Sequence, residues 1–195
     1  DFEAIEIWSA LFRSVGITPT VEREADTYGV SRGGRIFTYN EKENWWSRAG
    51  VPNNMPVGEP GGPDSEMFFD FDPSGDPLDH PATDTPRFLE IGNNVFMSYK
   101  KTDAGFVPLG KPNIDYGGGL ERIAAAVNGD PDIYLTPFFA NPIRKIESLT
   151  GLSYDSATKE FRIILDHTRA ATFLIGDGAA PANMDAGYIT RRLMR

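Results

Sequence analysis

The chain changes character near residue 128. Before that point its apolar residues fall in short, aromatic-rich runs separated by Pro- and Gly-dense connections; beyond it they recur at helical spacing. Strand text followed by helix text, rather than alternation of the two, predicts an α+β fold. The boundary divides a sheet-forming part, residues 1–127, from a helical part, residues 128–195.

The first part opens on a helix. Phe2, Ile5, Trp8, Leu11 and Phe12 share a helical face over residues 2–14, and Gly16 follows as a stop. Residues 17–40 read as loop and short strands with a turn at Gly33-Gly34. Residues 50–64, dense in Pro and Gly, read as a long shaped loop between aromatic segments. Strands are predicted over Glu66–Phe71 and Phe88–Tyr99, joined by the Pro/Asp-rich loop Asp72–Pro86. A short strand, Asn113–Asp115, runs into a Gly turn from which a helix, Leu120–Val127, departs. In the second part Thr136-Pro137 and Asn141-Pro142 each look like an N-cap followed by Pro at the first helical position, and that helix ends at Gly151. Another helix is expected from about Ser156 to Ile175, with Ile164, Leu165, Thr168, Ala171 and Ile175 on one face and Gly176 and Gly178 closing it. A last one begins near Ala186 and continues to Arg195. No internal repeat is visible.

Composition excludes several classes. The chain has 195 residues, 40% apolar and 12% aromatic, enough for a packed core and too much for a disordered tail. It has no Cys, so neither disulfides nor thiolate metal sites are available; His80 and His167 lie too far apart in sequence to suggest zinc. It holds no apolar run of about 18 residues, so no membrane span is expected. The acidic opening Asp1–Glu6 lacks a basic n-region, so no secretory signal is expected, and a soluble cytoplasmic protein is the default. The net charge of −9 argues against indiscriminate nucleic-acid binding. The segment Lys159–Arg195 differs: it has six basic and four acidic residues, and fits either a local anionic partner or a salt-bridged helix surface.

Four constellations can carry chemistry. In Asp115-Tyr116-Gly117-Gly118-Gly119-Leu120-Glu121-Arg122, three glycines between a strand and a helix N-terminus allow close approach of a ligand to backbone. Asp115 can take an ammonium and Arg122 a phosphate; a tight strand–helix connection with a solvent-facing Glu-Arg pair is the alternative. In Asn44-Trp45-Trp46, one ring of an adjacent pair usually enters the core and the other can wall a pocket. In Glu90–Met97, Asn93 and Val95 point to the same strand face, where the Asn is either a satisfied core group or a ligand contact. The fourth runs from Asp166-His167-Thr168-Arg169 through Asp177-Gly178 and Pro181-Ala182-Asn183 to Arg191-Arg192, where the Arg pair can meet phosphates and Asn183 a base edge.

In order along the chain, NWW, GGPDSE, EIxNxVFM, IDxGxGLERIAA, DHTRAATFLIGDG and GYITRRL form a series that resembles the alanyl-tRNA synthetases over nearly the whole length. Gly117–Arg122 is similar to motif 3 of class II aminoacyl-tRNA synthetases, and DHTRAATFLIGDG to alanyl enzymes in particular. The resemblance implies part of a class II antiparallel sheet with flanking helices, followed by the start of a helical tRNA-recognition region. It implies ATP-dependent activation of L-alanine to alanyl-adenylate and transfer to tRNA-Ala, with Mg2+ whose ligands are not placed. By the same resemblance Asp115 binds the alanine ammonium, Val95 and Gly117 line a methyl-sized pocket, and Trp46 and Asn93 stand around the amino acid. Gly119 and Arg122 fall to ATP. Asn183 reads the G·U pair of the acceptor stem in its minor groove, with Arg191 and Arg192 as phosphate contacts. No side chain is expected as a catalytic acid, base or nucleophile, because adenylate formation needs positioning and charge neutralisation.

The sequence departs from the family at three places: Asp64 where many relatives have Cys, Gly92 where Trp is usual, and a longer Val51–Pro60. Motifs 1 and 2 are not found in it, nor is an editing domain. The expectation is therefore a partial chain, monomeric, without alanine-dependent ATP–pyrophosphate exchange of its own. A non-enzymatic RNA-binding module and a paralogue that activates an amino acid outside translation are the competing readings.

Overall fold

The computed structural model describes residues 2–83 and 85–195. Asp1, in the acidic opening, and Asp84, in the predicted Asp72–Pro86 loop, lie outside the described residues. The chain forms two compact units, Asp1–Pro131 and Asp132–Arg195.

The first unit begins with α1 (Phe2–Ser14), whose Trp8 donates from Nε1 to Ser65 Oγ at 2.9 Å. Phe2 and Leu11, on the predicted apolar face, are nevertheless exposed. Two short parallel strands, β1 (Thr20–Glu22) and β2 (Gly34–Phe37), flank a single helical turn, α2 (Ala25–Tyr28), that the sequence reading missed. The main sheet is antiparallel, with β3 (Trp45–Trp46), β4 (Pro60–Asp70), β5 (Phe88–Thr102) and β6 (Gly105–Gly118) in that spatial order among the described residues. A helix, α3 (Leu120–Asn128), leaves β6 through Gly119.

Three strands are longer than their sequence signals, β5 by the three residues to Thr102 and the other two by more. β4 starts at Pro60, so the end of the expected Pro/Gly loop is strand. Gly62 explains this: a Cβ there would sit 1.8 Å from Phe96 O, so only glycine lets β4 close on β5. β6 runs 14 residues where three were expected. Pro108 and Pro112 break the alternation that marks a strand, but β6 lies at the sheet edge, where proline is tolerated. The connection between β4 and β5 is fastened by the buried Arg87, which reaches Asp70 and the backbone of Asp76.

The second unit is helical: α4 (Ala140–Thr150), α5 (Thr158–Gly176) and α6 (Asp185–Leu193). Neither predicted Pro cap forms. Thr136 ends a 3-10 turn, Ile133–Leu135, and Asn141 lies inside the first turn of α4, whose N-cap is Phe139. Gly151 does end α4, at φ 73°. On α5 the buried stripe is Phe161, Leu165 and Ala171; Ile164 and Ile175 are exposed. Phe161 and Leu165 pack with Phe139 and Tyr154 into the core of this unit. Tyr154 donates to Asp132 at 2.6 Å, and Arg162 binds the same carboxylate at 2.7 Å, tying the start of the unit to α5. No helix among the described residues is long and apolar enough to cross a membrane.

Candidate active-site cleft

The β5–β6 hairpin brings the distant motifs together. Its register sets Asn93 opposite Gly117 and Val95 opposite Asp115, so four of the singled-out residues share one sheet face. From β3, Trp46 pairs with Gly62 and joins them. Trp45 packs away from it against Tyr99 and Phe106, with ring centroids 6.1 and 5.3 Å apart. The result is a cleft of about 410 Å3 in the first unit, lined by Trp46, Asn93, Val95, Asp115, Gly117, Gly119 and Arg122, together with Glu90, Ile91 and Tyr116. A larger cavity of the same unit, about 560 Å3, lies beside β4 and holds none of the first seven.

The cleft has an ordered chemistry. Val95 is buried, and a Cβ at Gly117 would meet nothing within 4 Å among the described residues, so the floor beside Asp115 is small and open. Asp115 is exposed and accepts the Tyr116 backbone N–H at 3.0 Å. Arg122 donates from Nη1 to Glu90 O at 3.0 Å and to Glu90 Oε2 at 3.1 Å. These bonds hold a half-exposed guanidinium at the rim. Gly119 opens α3 as its N-cap, without a side-chain cap, and the positive end of a helix favours an anion. None of the three glycines needs a positive φ; what matters is the space they leave. The ring of Tyr116 takes up the room beside Gly92, where a Cβ would lie 3.0 Å from its hydroxyl.

Asn93 is the junction of the site. Its Nδ2 donates to Asp64 Oδ2 at 3.2 Å and to Glu66 Oε1 at 3.1 Å. In their ionised forms these carboxylates only accept, which turns the amide NH2 toward them. Burial raises the Asp64 carboxyl above its ordinary range. Burial, then Asp64, Glu90 and Glu43, push Glu66 up to about 7.

Sequence reasoning missed Glu90, Asp64 and Glu66 as neighbours of the site. Simple alternation from Asn93 puts Glu90 on the opposite face. A bulge corrects this: Met67 pairs with Gly92 but Phe68 with Glu90, leaving Ile91 extra and re-aiming Glu90 into the cleft.

The remaining three predicted residues lie in the second unit. Gly187 presses against the 180–182 loop, a Cβ there falling 2.5 Å from Ala180 O, and buried Thr190 donates to Ala179 O at 2.9 Å. This packing presents Asn183 at the surface, where its Oδ1 accepts from Arg191 Nη1; Arg192 lies 5.9 Å from the centre of the Tyr188 ring.

An antiparallel sheet whose edge hairpin ends in a Gly-rich turn, with an Arg in the first turn of the following helix, is an arrangement shared with a known class. A family model described as tRNA synthetases class II (A) matches residues 20–195. The chain belongs to this family. Among the proteins it is similar to are alanine–tRNA ligases. It is 38% identical over 180 residues to that of Treponema denticola, covering 87% of this chain and 28% of that protein. It is 36% identical to that of Acidithiobacillus ferridurans, over 100% of this chain and 20% of that protein. It is 41% identical to that of Listeria innocua over 70% of this chain and 16% of that protein. The chain thus spans less than a third of the length of the curated relatives it matches.

Proposed function

We propose that this chain carries the amino-acid and nucleotide side of an alanine–tRNA ligase active site, within residues 1–127, and the start of its tRNA-recognition region, within 128–195. The observation that carries the reading is the convergence of Trp46, Asn93, Val95, Asp115, Gly117, Gly119 and Arg122, spread over 77 positions of sequence, on one cleft. Asp115 takes the ammonium of L-alanine. Val95 and Gly117 leave room for a methyl group, Trp46 walls it, and Asn93 faces the amino acid. Arg122, held by Glu90, and the α3 N-terminus at Gly119 hold ATP.

In the reaction an alanine carboxylate oxygen attacks the α-phosphorus, the bond to the bridging oxygen breaks and pyrophosphate leaves. The side chains orient the two substrates and balance charge, which is sufficient for in-line transfer. Mg2+ would neutralise phosphate charge in this chemistry; among the described residues no group of three or more His, Cys, Asp or Glu is placed to hold it, and Glu90 is already paired with Arg122. The site of action is the cytoplasm.

Asp115→Ala is expected to cost about 1.5–3 kcal/mol of alanine binding, the worth of a charged hydrogen bond, or roughly 10- to 150-fold in Kd. Calorimetric titration with alanine reads this, and unchanged binding would sink the assignment. In the second unit Asn183 reads the acceptor stem of tRNA-Ala and Arg191 and Arg192 meet phosphates. Asn183→Ala is expected to weaken binding of a G·U-containing acceptor-stem hairpin roughly tenfold, about one hydrogen bond, and to leave a G·C hairpin unaffected. Equal losses on both hairpins would remove Asn183 from base readout.

A further inference from the structure

Arg191 and Arg192 are neighbours in sequence and differ in what they touch. Arg191 follows Gly187 by four positions, so it lies on the face of α6 that packs on the 180–182 loop. Side chains on a helix lean toward its N-terminus, which carries Arg191 back toward the loop that precedes α6. There its half-buried side chain donates from Nη1 to Asn183 Oδ1. Arg192, one step round the helix, is exposed and lies near Tyr188 instead.

The loop that carries Asn183 is held on both sides of it. The Ala182 N–H donates to Gly187 O at 2.9 Å. The hydroxyl of Thr190, wholly buried, lies 2.9 Å from Ala179 O and 3.1 Å from Ala186 O. A Cβ at Gly187 would fall 2.6 Å from Ala182 Cβ, so the approach of loop and helix needs glycine there. Asp185, two residues beyond Asn183, stands at φ 53°, the one non-glycine residue with a positive φ among the described residues. Non-glycine residues adopt this conformation rarely, and such positions cluster at ligand sites and clamps.

A guanidinium has five N–H donors and no acceptor, so a group lying against it must offer a lone pair. The amide beside Arg191 is therefore turned one way, with its oxygen toward α6 and its NH2 outward. Asn183 is exposed, and its Nδ2 makes no hydrogen bond among the described residues. Without Arg191 the amide would turn freely and offer either end.

Resting on the assignment of Asn183 to the acceptor stem, we infer that Arg191 is a positioning residue for base readout. It fixes the Asn183 amide with its NH2 toward the RNA. Asn183 then donates to a base-edge acceptor of the G·U pair instead of accepting from the guanine 2-amino group. Pyrimidines present such an acceptor, O2, in the minor groove. One bond to Asn183 leaves the guanidinium further N–H groups for a phosphate.

The test is fluorescence anisotropy of labelled acceptor-stem hairpins with the intact chain, at one fixed salt concentration because ionic strength alone shifts such affinities. The hairpins carry G·U, G·C or inosine·U at the same place; inosine keeps the wobble geometry and lacks the 2-amino group. Arg191→Ala is expected to lower the preference for G·U over G·C roughly fivefold, the worth of about one hydrogen bond. Combined with Asn183→Ala it is expected to lower the preference no further than Asn183→Ala alone. Arg192→Ala is expected to weaken both hairpins by the same factor, and Asn183→Ala to cost as much on inosine·U as on G·U. Each variant is expected to retain the far-ultraviolet circular dichroism of the parent. An Arg191→Ala chain that keeps the preference while Asn183→Ala removes it overturns the inference and leaves Asn183 as the reader. An Asn183→Ala penalty that vanishes on inosine·U, or an Arg192→Ala loss of preference equal to that of Arg191→Ala, overturns it as well. Equal losses on G·U and G·C in Asn183→Ala, or no binding of any hairpin at low salt, overturn the inference together with the assignment on which it rests.

Discussion

Arg87→Ala is expected to destabilise the first unit by about 3–5 kcal/mol, the usual cost of removing one partner from a buried ion pair. Arg87 is buried, at 6% exposure. Its Nε and Nη2 each donate to the Asp70 carboxylate at 2.8 Å, a bidentate geometry, and Nη1 donates to Asp76 O at 2.6 Å. Asp79 lies 3.9 Å away and the guanidinium stands 4.8 Å from the centre of the Phe88 ring. One side chain thus joins the end of β4, the long connection and the start of β5. Truncation leaves the Asp70 carboxylate partly buried without its cation and frees a loop that also carries the His80 contacts to Tyr39 and Asp26.

The same pair sets an acid limb. Hydrogen bonding from Arg87 holds Asp70 below the ordinary carboxylate range, so its contribution is full above the unfolded pKa of about 3.9 and is lost as pH falls through the lower folded value. Arg87→Ala is expected to flatten that limb. All three Trp residues, Trp8, Trp45 and Trp46, lie in the first unit, so urea unfolding followed by Trp fluorescence reports on it alone. A loss under 1 kcal/mol by that measurement, or an unchanged acid limb, would show that the pair does not fasten the loop.

Gly62→Ala is expected to be nearly as damaging, at about 1–3 kcal/mol or more, for a different reason. The new Cβ would stand 1.8 Å from Phe96 O, 2.9 Å from Phe96 C and 3.0 Å from Ser98 N. All three are backbone atoms of β5, so no rotamer change relieves the clash and the two strands must part. Trp46 is paired with Gly62 and moves with it, so alanine affinity should fall together with stability. Gly117→Ala is the control: its Cβ meets nothing within 4 Å among the described residues, so unfolding should match the parent. Equal midpoints for Gly62→Ala and Gly117→Ala in urea would refute the close-approach argument.

Much of the fold was legible because local signals agree with it. Helical spacing marked α1 and α5, the Gly turn announced α3, and glycine marked the ends of α1 and α4. What escaped was whatever the chain decides through partners distant in sequence. The outer half of β6, with Pro108, Gly110 and Pro112, carries no alternating pattern and is strand because β5 pairs with it. The Thr136 and Asn141 caps failed because packing of Phe139 starts α4 on another residue.

The candidate site divides in the same way. The order of motifs named the family and picked out Trp46, Asn93, Val95, Asp115, Gly117, Gly119 and Arg122, residue types whose chemistry is evident one at a time. That these seven line one cleft, that Glu90 turns into it and that Asp64 and Glu66 hold the Asn93 amide were decided only by tertiary structure. The reason is register. A strand sequence states which residues alternate, but the hairpin pairing and a one-residue bulge choose which of them face each other, and both are set by partners elsewhere in the chain.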